Sequence, residues 1–547
     1  MAAHPSSTCP ASASNACAEF APRSAHNRAE LPTTMNPTSA SLPRRVLPAQ
    51  TPWPLFDVAT SRAIERRELA LQPGGALMRR AGTSVARLAQ ALAPHARRIW
   101  VAAGPGGNGG DGLHAAAELQ QAGREVIVTL LAARDKLPPD AQAGLQRAER
   151  AGVSIVAHPP EGPFDLVIDA LLGIGAQRAP AAEMAATTLA LNASGSPCLS
   201  VDLPSGLSAD TGVAFGDAVV RAAATLSLLT LKPGLFTASG RDHTGAVWFD
   251  ALEATIEPGD TPAARLTSLA DWHAASTPRR HEHHKGSFGD VIVVGGAAGM
   301  HGAARLAAHG ALGAGAGRTI VSLLDVDAPL GDASRPEWLW QRAAWLPGAA
   351  DLEHSTVVCG CGGGMAVRSA LPATLSRSAR LVLDADALNA VATDTSLQAL
   401  LRSRATRGGA TVLTPHPLEA ARLLGSSTAE VQTDRLRAAQ AIADRFGATV
   451  VLKGSGTVIA APATTPTINS TGSAALATGG TGDVLAGWIA GLWSQAARRE
   501  GASAAALAFA CTAASVWLHG LAAERPGASA LRARDLVDAM REAAAGF

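Results

Sequence analysis

Apolar residues in this chain fall into short unbroken runs that stop at glycine, proline or small polar residues, and helical spacing fills the intervals between them. Residues 57–71 and 75–92 carry apolar positions at helical intervals, with Gly74 and Gly75 breaking between them. The run 98–104 reads as a buried strand that passes directly into a glycine-dense loop, 105–112. An Ala-rich helix ending near Gly123 and a second strand, 125–131, complete a βαβ unit. Runs 164–169 and 197–202 are further strands, each ending on an aspartate. A second series begins at Asp290, with strands at 291–294, 319–324, 355–358, 381–386 (ending in the paired carboxylates Asp384 and Asp386), 410–413 and 449–452. The fold class this implies is α/β, with two doubly wound αβα domains whose strand ends form one loaded edge each.

Between the two series, residues 257–285 hold three prolines and the run His281-Glu-His-His284, a composition that marks a boundary. The expected division is a tail at 1–52, a first domain at 53–260, a linker at 261–285 and a second domain at 286–547. The tail is rich in Ala, Ser, Pro and Thr and poor in aliphatic residues, so it buries too little to offset its ordering entropy. It is expected to be disordered, or to precede the real start at Met35.

Composition narrows the partners. With 547 residues, 17% of them charged and a formal net charge of +1, the chain has no basic block for a nucleic acid or an anionic membrane. The apolar run 504–518 reads as a buried helix rather than a membrane span. No zinc or disulfide spacing emerges from six cysteines, and no secretory segment precedes them, so a cytoplasmic location is expected. Cys359 and Cys361 read as part of a glycine-rich turn, and the histidine run as a solvated linker rather than a metal site.

Chemistry concentrates at strand ends. The stretch 478–487, Thr-Gly-Gly-Thr-Gly-Asp-Val-Leu-Ala-Gly, suits an anion held by backbone N–H groups and the positive end of a helix. Asp483 in that stretch either takes a proton from an attacking hydroxyl or caps the helix. Lys453, beside two glycines, can contact phosphate or simply be solvated. In the first half, Asn108, Asp169, Asp202 and Ser205 converge on one sheet edge. Oxygen ligands there suit potassium or magnesium, or acid–base work; helix capping is the alternative for each aspartate.

Segments 104–112, 169–175 and 201–206, in this order, resemble the YjeF N-terminal domain family, whose enzymatic members are NAD(P)H-hydrate epimerases. The resemblance implies a Rossmann-like first domain. It assigns substrate contacts to Gly107, Asn108, Gly109, Gly110 and Asp111, to Gly173, Ile174, Gly175, Ala176, Gln177, Arg178 and Ala179, and to Asp202. Asp202 would be the proton carrier, and Asn108, Asp169 and Ser205 would hold potassium. Gly107 stands where the family has a first Asn, and Ile174 where Thr is common.

The second half is similar to the ADP- or ATP-dependent NAD(P)H-hydrate dehydratases of the ribokinase-like fold. The resemblance rests on His284-Lys-Gly286, 295–304, 383–388, 414–417, 453–457 and 479–487. It implies a nucleotide site at Lys453, Gly454, Ser455, Gly456, Thr457 and Gly482. Ala304, Gly362, His416 and Asp483 would face the hydrated nicotinamide, with Asp483 as base. Cys361 and Gly363 replace Pro and Leu, and Leu418 stands where Gly is usual. Together the two resemblances imply repair of NADHX and NADPHX: epimerisation of the R and S hydrates, then dehydration of the S form with ADP (or ATP) and magnesium, releasing AMP and phosphate. A homo-oligomer is also expected. The rival enzyme is a small-alcohol kinase of the hydroxymethylpyrimidine or hydroxyethylthiazole type, which leaves the first half without a task; a non-enzymatic sensing module is the other rival.

Overall fold

The computed structural model describes residues 42–498, 501–525, 527 and 531–547. The tail expected at 1–52 therefore lies mostly outside the described residues. Two short strands come first, β1 (Arg44–Arg45) and β2 (Pro54–Leu55). The first half then supplies β3 (Arg98–Ala103), β4 (Glu125–Leu130), β5 (Ser154–Val156), β6 (Leu166–Ala170), β7 (Cys198–Val201), β8 (Ala224–Leu228) and β9 (Ala246–Asp250). After β10 (Ala264–Leu266), the second half supplies β11 (Asp290–Gly295), β12 (Arg318–Leu323), β13 (Leu339–Trp340), β14 (Thr356–Cys359), β15 (Arg380–Leu383), β16 (Ala410–Leu413), β17 (Thr449–Leu452), β18 (Val458–Ala461) and β19 (Thr464–Ile468).

These strands form two sheets. The first has eight strands in the order β1-β9-β8-β7-β6-β3-β4-β5, parallel throughout except for the edge pair β1–β9. Strand order reverses between β3 and β6, so their carboxyl ends frame a crevice. Gly104 must be glycine there: a Cβ would lie 1.8 Å from the Leu171 carbonyl oxygen. The next helix, Gly107–Gln121, begins inside the stretch expected as a loop, which places Asn108 and Asp111 in its first turns.

The second sheet has eleven strands in the order β13-β12-β11-β14-β15-β16-β17-β18-β19-β10-β2. It is parallel from β13 to β17 and mixed beyond. Its reversal lies between β11 and β14. The helix Thr481–Ala496, apolar and small-residue rich, packs along His301–Gly313 and is buried over nearly its whole length. Ala504–Ala522 is the one helix among the described residues long and apolar enough to cross a membrane, and two thirds of it is buried within the fold. Cys511, Trp517 and Leu518 contribute to the second core.

The expected linker is different in the structure. Within 261–285, β10 pairs in parallel with β19 and antiparallel with β2, extending the second sheet with strands from the first half. The helix Leu269–Ala275 then inserts Trp272 into the second core. Proline content made this stretch read as a spacer; alternate buried residues, Ala264 and Leu266, make it a strand. Part of the expected tail is likewise ordered, since β1 adds to the first sheet. A separate apolar cluster joins Leu55, Leu235, Phe236, Leu266 and Ile468, so the halves share buried surface.

Candidate active sites

At the first crevice, the penultimate residue of β6 is Asp169, which has no exposed surface. Its Oδ1 accepts from the Ser205 hydroxyl at 2.6 Å and the Leu171 N–H at 3.2 Å. Its Oδ2 accepts from the Ser200 hydroxyl and the Ser205 N–H, each at 2.9 Å. Burial raises its pKa despite those four donors. The Ser205 oxygen also accepts from the Leu172 N–H at 2.9 Å. Asn108 adds a buried amide nitrogen with no partner. The buried carboxylate and the Ser205 hydroxyl oxygen fit a hard monovalent cation, to which Asn108 can contribute only through its side-chain oxygen, not the unpaired nitrogen. Because Asp169 already fills its lone pairs, such an ion would replace one of these hydrogen bonds.

Asp202 follows β7 with φ of 67°, a left-handed conformation that a non-glycine residue adopts only where its surroundings enforce it. The Asp202 N–H donates to the Leu226 carbonyl at 2.7 Å. Lys232, 2% exposed, forms a short ion pair with Asp202 Oδ1 and donates to the Leu228 carbonyl at 2.7 Å. A Cβ on Gly173 would sit 3.5 Å from both Asn108 and Asp202 Oδ2, so these three residues meet. Glu65 is raised by burial first and by Asp202 next. Asp111 is pushed well above the usual carboxylate range by burial, then by Asp202 and Glu65. Asp202, Glu65, Asp111 and Lys232 thus share the crevice with Asp169. Of the 173–179 turn, Gly175, Gln177, Arg178 and Ala179 are exposed. The Arg62 guanidinium reaches within 3.6 Å of a Cβ placed on Gly175.

Lys232 and Glu65 did not stand out in the sequence. A lysine between Leu231 and Pro233 just after a strand is the available signal, because a charge among apolar residues needs a buried partner. Neither aspartate caps a helix.

In the second half Asp483 occupies the first turn of Thr481–Ala496, whose N-cap is Gly480 without a side-chain cap, so capping is not its role. Burial, then Asp384, raises its pKa to about 6. Asp384, at the end of β15, accepts from Lys453 Nζ at 2.8 Å and from the Thr414 hydroxyl at 2.7 Å. Lys453 Nζ lies 3.3 Å from a Cβ placed on Gly482, which sets the ammonium at the helix start. Its pKa is lowered by burial but raised overall by Asp384 and Glu419. Asp386 accepts from the Gly364 N–H at 2.8 Å.

Cys361, Asp384 and Asp483 present one ligand atom each within 4.8 Å of one another. Burial, then Asp483 and Asp384, pushes the Cys361 thiol far above its ordinary value, so it stays protonated. The carboxylates Asp384 and Asp386 fit magnesium, which prefers one or two carboxylates and keeps its waters, whereas the thiol does not.

His416 is the N-cap of the helix Pro417–Leu424: Nδ1 accepts from the N–H groups of Leu418 and Glu419, while Glu419 Oε2 accepts from the His416 N–H at 2.8 Å. Burial, then Lys453, lowers its pKa. Burial raises Glu419 to about 7. Gly362, with φ of 58°, borders the same cleft. Ala304 has no exposed surface and packs against Gly295 and Gly296. In the 453–457 turn, Gly454 and Ser455 are exposed, and the Thr457 hydroxyl donates to the Gly454 carbonyl at 3.0 Å. Asp384 was legible as a strand-end carboxylate, yet nothing in the order of residues joined it to Asp483.

Residues 291–542 match the family model described as NAD(P)H-hydrate dehydratase, and residues 74–234 match that of the YjeF-related protein N-terminus. The bifunctional NAD(P)H-hydrate repair enzyme of Escherichia coli K12 is 38% identical over 77% of this chain and 80% of its own length. That of Coxiella burnetii is 34% identical over 89% and 98%. Among solved structures, an ADP/ATP-dependent NAD(P)H-hydrate dehydratase from Bacillus subtilis, co-crystallised with ATP and Mg2+, is 30% identical over 49% of this chain and 94% of its own, with a TM-score of 0.40.

Proposed function

The chain belongs to the family of bifunctional NAD(P)H-hydrate repair enzymes, and on that premise we propose how its residues divide the work between two sites. Hydration leaves a hydroxyl on carbon 6 of the reduced nicotinamide ring, as R and S epimers of an inactive cofactor. The enzyme interconverts the epimers and dehydrates the S form to NAD(P)H. A small-alcohol kinase is set aside because the relatives match across both halves.

In the first site Asp202 carries the proton, with Lys232 fixing one carboxylate oxygen and leaving the other towards Asn108 and Gly173. Gly107, Gly109, Gly110, Asp111 and the 173–179 turn bind the hydrated nucleotide around it. Asn108, Asp169 and Ser205 would hold potassium, which would supply positive charge beside a buried carboxylate.

In the second site Asp483 takes the proton from the ring hydroxyl, and the hydroxyl oxygen accepts the terminal phosphoryl group of the nucleotide. Hydroxide leaves poorly and phosphate leaves well; the lone pair of the ring nitrogen expels phosphate to leave an iminium, and loss of a proton from carbon 5 then restores the dihydronicotinamide. The observation that carries this reading is a carboxylate raised to about 6 by burial in the first turn of a helix, beside Lys453. Lys453, Gly454, Ser455, Gly456, Thr457 and Gly482 hold the nucleotide through backbone N–H groups and one ammonium. Ala304, Gly362 and His416 border the nicotinamide. Magnesium, near Asp384 and Asp386, would neutralise charge on the transferring phosphoryl group. ADP is the donor proposed, with AMP and phosphate released. Action in the cytoplasm, as a homo-oligomer, belongs to the same proposal.

The test is direct. Purified enzyme, mixed NADHX epimers, potassium, magnesium and ADP or ATP are combined, and NADH absorbance is followed. Complete conversion of both epimers is expected, with AMP formed from ADP. Consumption of the S form alone, with R left at its spontaneous rate, would remove the epimerase assignment.

A further inference from the structure

The nucleotide turn of the second half does not stand by itself. Its inner face rests on residues 236–238 of the first half. The Thr237 hydroxyl lies 3.0 Å from the Gly456 carbonyl oxygen and 3.3 Å from that of Ser455. The Ala238 N–H donates to the same Ser455 carbonyl at 3.2 Å. Gly456, with φ of 57°, fits so closely that a Cβ would lie 2.0 Å from the Phe236 carbonyl oxygen. Thr237 is 1% exposed, although it stands near the exposed Gly454 and Ser455.

Beneath both strands of this contact lies Arg435, also 1% exposed. Its Nε donates to Thr237 Oγ1 at 3.3 Å, and its Nη2 to the carbonyls of Leu452 and Lys453 at 3.0 and 3.1 Å. No carboxylate pairs with this guanidinium among the described residues. A buried cation without a counter-ion, tied to the backbone of a turn, favours an anion on the turn's open side. Burial lowers its pKa only to about 10, so it keeps its charge at neutral pH.

We propose that Thr237, contributed by the first half, is a positioning residue for the dehydratase: it fixes the 453–457 turn and the underlying Arg435 in the shape that takes a nucleoside diphosphate or triphosphate. The turn's carbonyls are turned inward onto Thr237 and Ala238. Lacking those partners, they would compete for the outward direction that the N–H groups need for phosphate. In this chain the second site is thus backed by a residue of the first half. A second contact points the same way: Arg241 donates to the carbonyls of Thr471 and Gly472 at 3.0 and 2.7 Å, on the approach to the glycines before Thr481. The inference rests on the reading that residues 453–457 bind the nucleotide, and the experiment separates the two.

Full-length protein is made as Thr237→Val, which keeps shape and removes the hydroxyl, as Thr237→Ala, which removes bulk as well, and as Thr237→Ser, which restores the hydroxyl. ADP affinity is measured by calorimetry, alongside dehydratase kcat and nucleotide KM. Loss of one buried hydrogen-bonding hydroxyl is expected to weaken ADP binding and raise KM about five- to tenfold, with kcat at saturating ADP within twofold of wild type. Thr237→Ser is expected to recover wild-type affinity, which a mere packing role would not require. Lys453→Ala is the control for the underlying reading. If it weakens ADP binding while folded Thr237→Val or Thr237→Ala binds ADP as wild type, the positioning role is overturned and the nucleotide turn stands. If Lys453→Ala itself leaves ADP affinity unchanged, the turn is not the nucleotide site and both readings fall.

Discussion

Asp483 and Asp202, the two proposed proton carriers, are held in different ways. Asp483 is held near pKa 6 by burial and a neighbouring carboxylate, so it is ionised at neutral pH yet basic enough to accept a proton. Dehydration is expected to fall as pH drops through about 6 and to level off above, read from kcat against pH. The same shift bears on stability. A folded-state pKa above 3.8 means that ionisation is resisted in the fold; the cost is absent below about pH 4 and complete above about pH 6. It amounts to at most about 3 kcal/mol. Asp483→Asn should therefore cut dehydration by about 100- to 10,000-fold while raising Tm at pH 7.5. A variant with full AMP release would end the assignment of Asp483 as base. Asp202 relies instead on a buried ion pair with Lys232. Asp202→Asn should abolish epimer exchange, followed by chromatography, and leave dehydration of the S form intact; unchanged exchange would reduce Asp202 to a structural role.

Helix starts and strand ends do the positioning at the scale of elements. In both halves a glycine-bearing turn delivers an aspartate into the first turns of a helix: Asp111 in Gly107–Gln121 and Asp483 in Thr481–Ala496. The strand before the first of these stops at Gly104 because the Leu171 carbonyl leaves no room for a Cβ. Gly104→Ala must push β3 and the end of β6 apart, at about 1–3 kcal/mol or more. It is expected to lower Tm and to remove epimerisation before dehydration, since the displaced carbonyl follows Asp169 by two residues. Equal loss of both activities at a temperature where the variant is folded would contradict that order. The periodic stretches of the sequence marked these elements well, whereas the helix start inside the glycine-rich stretch 105–112 was placed several residues late. Glycine disfavours helix in isolation, and only the close approach of neighbouring backbone makes it the residue that fits.

Across the whole molecule the two halves interlock. Strands β2 and β10 complete the second sheet, Trp272 fills its core, and Phe236 and Thr237 back its nucleotide turn. A fragment 286–547 would lack Trp272 and expose β19 as an edge, whereas 261–547 keeps β10 and the helix Leu269–Ala275. The longer fragment should have the higher Tm, since removal of a buried Trp side chain costs about 3–5 kcal/mol. The shorter one should associate through its open edge, seen by light scattering. Equal Tm and monodispersity would mean that 261–285 is a spacer after all. What the sequence determined by itself is local: runs of apolar residues set the strands, strand-end aspartates and glycine turns marked both edges, and motif order matched the family. What only the tertiary structure decided is which distant residues meet. Lys232 beside Asp202, Asp384 beside Asp483, and Thr237 under Gly456 are separated by 30, 99 and 219 residues, respectively. Such pairs leave no period or spacing in the chain, because they come together through sheet order and the burial of charge, which exist only once the chain is folded.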